Sequence, residues 1–293
     1  MISIHRAAPL TTRGIVVLAI VTAIAAPAAA QEPADPPSGR VTVTGGVEFL
    51  TAYSFRGIRQ DDTGVILWPH VNLGLRVYEG SGGLKGIRVS AGTWNSLHTG
   101  VAGSDGPSGE RWYQSDFHTT LDLTLAGGVM VGTTYRAYTS PNDMFTTVKE
   151  ASVKLSVDDR GALGRAAVRP YVLAAFELDT SPGLGQVDGG FDAGRYLELG
   201  AAPGYQFRRV GVAFPVRVGL SLGGYYELAG EDHRFGYVSA SSLVTVPLGG
   251  RTALGAWNVH GGVEYQGLGT TAKALNLDDG STVIGSIGIG WSR

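Results

Sequence analysis

From Val41 onward, apolar residues recur at every second position within segments of roughly 10 to 16 residues, and clusters of Gly, Asp, Pro and Ser separate the segments. No helical period is sustained anywhere in this stretch, so the chain must fold as strands joined by turns. Twelve such segments are read at about 41–56, 63–78, 84–97, 111–125, 128–138, 144–157, 167–178, 193–206, 212–228, 234–247, 253–266 and 281–292. The two faces of these segments differ in kind. In the fourth, Phe117, Leu121, Leu123 and Leu125 lie opposite Asp116, His118, Thr120, Asp122 and Thr124. In the eleventh, Trp257, Val259, Val263 and Tyr265 lie opposite Asn258, His260, Gly262 and Glu264. The last sets Val283, Ile287, Ile289 and Trp291 against Thr282, Ser286, Gly288 and Gly290, with Ile284 the one apolar residue on the polar face.

An apolar face on one side and a polar, small-residue face on the other suit a barrel with lipid outside and a polar lumen. A soluble sandwich shares the alternation with its faces exchanged. Aromatics near the strand ends favour the membrane reading: Phe49, Tyr53, Phe55, Trp112, Tyr113, Tyr135, Tyr138, Tyr225, Tyr226, Trp257, Tyr265 and Trp291 suit interfacial girdles. The predicted fold class is all-β, a transmembrane antiparallel up-and-down β-barrel of about 12 strands. An even strand number puts both termini on the periplasmic side, and the last strand is expected to close the barrel beside residues 41–55. The outer loops are then 57–62, 98–110, 139–143, 179–192, 229–233 and 267–280, and the inner turns lie near 79–83, 126–127, 158–166, 207–211 and 248–252.

Arg6 and Arg13 precede an apolar run from Gly14 to about Ala26, and Ala28-Ala29-Ala30 supplies the small residues of a cleavage site. The expected organisation is a signal peptide over 1–30, a disordered lead-in over 31–40 with Pro33, Pro36 and Pro37, and the barrel over 41–293. The apolar run is shorter than the roughly 20 residues of a spanning helix, and no later segment supplies one. The expected location is the outer membrane of a Gram-negative cell, with outer-membrane lipids and the barrel-assembly machinery as partners. The common barrel pattern ends on an aromatic residue that serves assembly; here Trp291 is followed by Ser292 and Arg293.

Glycine supplies 45 of 293 residues, about twice the usual share of roughly 7%, and the surplus goes to turns and to small inward positions. A net charge of -2 gives no electrostatic footprint for nucleic acid. The absence of Cys removes thiol catalysis, thiolate metal sites and disulfides, so stability rests on the hydrogen-bonded wall.

The string AYSFRGIRQ at residues 52–60, followed by Asp61-Asp62, resembles the D-Y-x-F-R-G-I-S-Q opening of the TorF-type outer-membrane porins, with Ala52 and Arg59 at the positions of the family's Asp and Ser. The match covers the first strand and its outer loop. It implies an outer-membrane transport barrel whose solute it does not specify.

The candidate lumen-lining residues follow from strand parity. Glu48, Arg56, His70, Arg76 and Arg88 come from the first three segments, and Asp116, His118, Asp122 and Arg136 from the next two. Glu150 and Lys154 follow, then Arg169, Glu198, Arg217 and Glu227, and finally His260 and Glu264. Such groups replace the hydration of a passing solute, or they pair across the lumen and hold it together. Twelve strands fall between filled eight-stranded barrels and open 16- to 18-stranded porins, so a narrow or partly closed pore is expected.

Asp116, His118 and Asp122 share a face, yet no Ser-His arrangement of a hydrolase, no His-x-Ser-Asn string of outer-membrane phospholipases and no Gly-x-Ser-x-Gly elbow occurs. The acidic pairs Asp61-Asp62 and Asp278-Asp279, with Asp179, Asp188 and Asp192, lack the spacing of a Ca²⁺ loop and read as turn residues. The string GLGQVDGG at 183–190 has no helix after it and is not a nucleotide loop. No catalytic residue, metal or cofactor is assigned. The function expected is a passive channel for small polar solutes. A closed structural or adhesive barrel is the alternative, and a lipid hydrolase using His118 or His260 comes third.

Overall fold

The computed structural model describes residues 39–100, 111–178, 193–250, 252–253 and 255–293. The expected signal peptide over 1–30, most of the lead-in, Asp179, Asp188, Asp192 and the 183–190 string lie outside the described residues.

Twelve antiparallel strands close into one barrel. They are β1 Val41–Leu50, β2 Ile66–Glu79, β3 Leu84–His98, β4 Trp112–Leu125, β5 Val129–Thr139 and β6 Val148–Val157, followed by β7 Pro170–Glu177. The circuit continues with β8 (Arg195–Ala201 and Gly204–Phe207), β9 (Val210–Ala213 and Val216–Gly223), β10 Phe235–Pro247, β11 Ala256–Leu268 and β12 Ser281–Ser292. Closure is made by β12 against β1, from Thr44 opposite Ser292 to Leu50 opposite Ser286. Val43 and Arg293 extend this seam with a reciprocal pair of backbone hydrogen bonds of 2.9 and 2.8 Å. A closed ladder has no free edge, so every strand's backbone groups find partners within the wall.

Proline explains the two broken strands. Pro203 and Pro215 have no N–H to give the ladder, and pairing lapses at each. Their carbonyls still accept, from Phe214 N–H and Ser241 N–H respectively, both at 2.8 Å. The connections on one rim are mostly shorter than those on the other, with the twelve-residue connection at 158–169 the exception. One rim carries tight turns, such as Ala126–Gly128, where Gly127 and Gly128 sit at φ of 75° and 76°. The other rim carries the longer loops, including the helix Thr270–Leu275. The segment read at 144–157 forms β6 over Val148–Val157 and pairs with both chain neighbours.

Several sequence expectations need correction. The first strand ends at Leu50 rather than at residue 56, and residues 53–61 instead form a small hairpin of Tyr53–Phe55 against Ile58–Asp61. Arg56, at φ 50°, stands at its tip and is not on the wall. Glu227 belongs to a second small hairpin, Glu227–Leu228 against Glu231–Asp232, and Arg169 precedes β7 with φ 48°.

Outward positions are apolar and uncovered: Leu73, Phe117, Ile287 and Val283 are 54%, 55%, 59% and 62% exposed. Phe49, Trp112, Tyr135, Trp257 and Tyr265 also lie on this surface, and Trp291 packs beside Trp257 with ring centroids 6.2 Å apart. Tyr53, Phe55, Tyr113, Tyr138, Tyr225 and Tyr226, expected in the girdles, are inside instead. The reasons differ. Tyr113 is the extra residue of a bulge opposite Ser96 and Leu97, and a bulge turns a side chain to the other face. Tyr138 shares the inward parity of Arg136, while the other four belong to chain that has left the wall.

Candidate functional site: a divided lumen

The first loop runs from Thr51 to Val65, and its hairpin lies inside the barrel. Tyr53 OH donates to Gln114 Oε1 on β4 at 2.9 Å, while Ser54 Oγ donates to Gln266 Oε1 on β11 at 2.7 Å. Those two strands stand on different sides of the closed wall, so only a segment within the lumen reaches both.

Arg56 is the central tie. Its guanidinium grips Glu150 on β6 bidentately, Nη1 to Oε2 at 2.6 Å and Nη2 to Oε1 at 2.9 Å, and Nη1 also donates to Tyr225 OH at 2.7 Å. The same carboxylate accepts from Tyr138 OH at 3.1 Å. Aromatic rings enclose the cation: its Cζ lies 4.1 Å from the Tyr196 ring centroid, 5.0 Å from Phe55 and 5.2 Å from Tyr225. Charge, bidentate geometry and ring faces together satisfy a guanidinium that burial alone would penalise.

The hairpin backbone is also held by another loop of the same rim. Asn276, just past the helix Thr270–Leu275, donates from Nδ2 to Gly57 O and accepts from Arg59 N–H, both at 2.7 Å. Tyr226 OH donates to Arg56 O at 2.8 Å, and Tyr113 OH to Gln60 Oε1 at 2.8 Å. Around these ties two aromatic clusters fill the loop-side half of the lumen. Tyr53, Trp68, Trp94 and Tyr113 form one, and Tyr196, Tyr225, Tyr226 and Tyr237 the other.

Ser96, His98 and Asp61 come together in this half, a grouping that sequence reading did not find. Ser96 Oγ is 2.6 Å from His98 Nε2 and also accepts from Trp68 Nε1–H at 2.8 Å. Asp61 Oδ2 is 3.0 Å from His98 Nδ1 but off the N–H axis, so neither atom completes a hydrogen bond. Ser96 and His98 are fully buried, and the Tyr113 ring is stacked on His98 at 4.5 Å. The trio lacks both the alignment and the access of a nucleophilic triad, and it joins the hairpin's end to β3.

The turn-side half is different. Inward glycines serve as shelves there, and polar side chains from one strand lie flat across a neighbour instead of projecting to the axis. His260 on β11 crosses Gly288 on β12 to reach Glu48 on β1 at 3.1 Å. His118 on β4 crosses Gly92 on β3 to reach Asn72 on β2 at 2.7 Å. Arg88 on β3 crosses Gly74 on β2 to donate to Thr42 Oγ1 on β1 at 2.8 Å. Each crossing keeps volume near the axis free. A Cβ at Gly288 would stand 2.7 Å from both His260 Nε2 and Val47 O. Gly288→Val is therefore expected to push His260 off Glu48 and to cost roughly 1–3 kcal/mol. A lower urea midpoint of the folded, fast-migrating electrophoretic band measures this.

Of the residues expected in the lumen, Glu48, His70, Arg76, Arg88, His118 and Asp122 line this turn-side half with part-exposed side chains, as do Arg136, Lys154 and His260. Asp116, Glu150, Glu198 and Glu264 are buried in the packed half. Arg217 bridges the two, donating from Nη2 to Glu264 Oε1 at 2.5 Å and from Nε to Ser239 Oγ at 2.9 Å. His118 and His260 hold Asn72, Asn258 and Glu48 rather than a serine. The acidic loop pairs hold protein cations: Arg59 binds Asp62 at 2.8 Å and Asp279 at 3.2 Å. Among the described residues no group of three or more His, Asp or Glu is placed to hold a metal ion.

No family model matches the sequence, and no curated protein matches it. Solved structures similar to the chain are themselves β-barrels of membrane proteins. One is an outer membrane channel from Pseudomonas putida F1, 12% identical over 89% of this chain and 100% of that chain, with TM-score 0.45. Another is the NanC porin, 13% identical over 86% of this chain and 98% of that chain, with TM-score 0.41. The β domain of the Bordetella autotransporter BrkA is 12% identical over 87% of this chain and 99% of that chain, with TM-score 0.41.

Proposed function

We propose that this protein is an outer-membrane channel for small polar solutes, with a water-accessible vestibule on the turn-side, periplasmic half and a constriction formed by the first-loop hairpin. The continuous apolar outer surface supports the membrane location, since a soluble protein rarely leaves so much apolar area uncovered. The likeness of residues 52–60 to TorF-type porins belongs to the same reading.

The observation that carries the channel is the shelved vestibule. A barrel evolved only for rigidity gains most by filling its lumen, as the loop-side half does, whereas glycines under flat-lying polar chains preserve open space. A closed structural barrel is the second reading, and the ties of the hairpin to β3, β4, β6 and β11 favour it.

Conductance across planar lipid bilayers tests the two. The channel reading expects small, discrete current steps from the wild-type protein, larger in a variant whose hairpin is shortened. Silence from both variants, each shown folded by its heat-modifiable band, would establish the closed barrel.

A further inference from the structure

Charge in the lumen is sorted by burial. Five carboxylates, Asp116, Glu150, Glu177, Glu198 and Glu264, are at most 8% exposed. Their oxygens are met mainly by protein donors, although Glu264 Oε2 is buried without one. Glu198 accepts from the hydroxyls of Tyr171, Tyr196 and Tyr237 at 2.7, 2.6 and 3.0 Å, and Glu177 Oε2 accepts from Gly194 N–H at 2.7 Å. Glu150 and Glu264 are taken by Arg56 and Arg217. The cations of the turn-side half remain in reach of water. Arg88 and Lys154 are part-exposed, and the side chains of Arg136 and Arg76 are 24% and 30% accessible. Arg88 rests on the Thr42 hydroxyl with Asp122 opposite it in the ladder, Lys154 Nζ lies 4.8 Å from the Tyr171 ring centroid, and Arg136 is paired with Asp116 at 3.5 Å.

The rim of the same half repeats the bias. Its turns expose Lys85, Arg160, Arg165, Arg208 and Arg209. Against them stand Glu79, Asp158 and Asp159, and of these Glu79 is engaged by Arg76 at 3.0 Å and Asp158 by Arg160 at 2.8 Å. Hydrogen bonds from Arg160 hold the Asp158 carboxyl below the ordinary carboxylate range, ahead of a smaller opposing effect of burial, so this pair stays ionised and mutually screened. A near-neutral chain thus presents an unbalanced surface to its own lumen. Five carboxylates are enclosed in the packed half, while along the passage and its mouth these nine cations face only five carboxylates, Glu48, Asp122, Glu79, Asp158 and Asp159.

We infer that the vestibule selects anions, so that small anionic solutes are the class this protein passes. The inference rests on the channel reading above and deepens it. A ring of fixed positive charge raises the local concentration of anions and repels cations, and a low-dielectric wall focuses its field.

The test is the zero-current potential of the mature, full-length protein in planar bilayers under a KCl gradient, with the hairpin-shortened variant alongside it. Chloride is expected to permeate severalfold more readily than potassium at low salt. The preference should fade as salt is raised towards 1 M, where the screening length falls from about 10 Å to about 3 Å. The double variant Arg88→Glu, Lys154→Glu is expected to shift the ratio towards potassium. If that variant fails to give a heat-modifiable band, Arg88→Gln, Lys154→Gln should still reduce the anion preference. Current from the wild-type protein with no preference, or with preference for potassium, would overturn the inference and leave the channel standing. Silence from the wild-type and shortened proteins together would remove the channel reading and this inference with it.

Discussion

Replacing Glu150 by Gln is expected to release the first-loop hairpin from the lumen while the barrel stays closed. The wild-type guanidinium of Arg56 has its bidentate partner at 2.6 and 2.9 Å inside an aromatic enclosure. Loss of the charge on that partner strands a buried cation that cannot give up its proton, and breaking one side of a buried pair costs roughly 3–5 kcal/mol. That is comparable to the sum of a few neutral hydrogen bonds at about 1 kcal/mol each, which is most of what else ties the hairpin. The converse variant, Arg56→Met, is expected to be milder. The methionine fits the ring-lined space, and the orphaned Glu150 keeps the Tyr138 hydroxyl at 3.1 Å and can take up a proton. Limited trypsin digestion in mild detergent reads the difference. Cleavage after Arg56 and Arg59 is expected to be slow in the wild-type protein and fast in Glu150→Gln, with the heat-modifiable band retained. Equal protection in both proteins would show that the Arg56–Glu150 pair does not hold the hairpin.

Most of the wall was legible in the sequence, because lipid on one side and a polar lumen on the other impose period 2 on every strand. The parity that separates Phe117 from His118, or Val263 from Glu264, follows from that single demand and holds in the structure. The hairpin was not legible for the same reason. Apolar and polar residues keep alternating through Phe49, Tyr53 and Phe55, so the string reads as more wall, and only the enclosed space of a closed barrel gives it somewhere else to go. Partners were equally hidden. Parity shows that Gln114 and Gln266 point inward, but their contacts with Tyr53 and Ser54 span 61 and 212 residues of sequence. Asn276, which pairs with the hairpin backbone across 219 residues, sits in a loop where no periodicity applies. Parity also places charges without sorting them. Asp116 and His118 share a strand face, yet one is 2% exposed and the other is part-exposed, because the packed half ends between them.

Excision of the hairpin is expected to have the largest effect on transport. Leu50 and Ile66 face each other in register where β1 and β2 leave the barrel, so Thr51–Val65 can be replaced by an Asn-Gly two-residue turn without disturbing the β1–β2 ladder. The shortened protein loses Tyr53, Phe55, Arg56 and Ile58 from the loop-side half, and the aromatic walls formerly packed on them become accessible to water. Conductance is expected to rise on the order of tenfold, since a twelve-stranded wall emptied of its insert approaches the regime in which a lumen carries water. Stability is expected to fall at the same time. Trp68 and Tyr196, now 1% and 0% exposed, would lose apolar contacts, and uncovering large side chains costs about 1.5–3 kcal/mol each. A lower urea midpoint of the folded band together with larger current steps is therefore the expected pair of results. Larger steps without loss of stability would mean that the hairpin only visits the lumen. Loss of stability with no gain in current would mean that Trp68, Trp94, Tyr196 and Tyr237 close the passage by themselves, leaving the hairpin as their support rather than as the constriction.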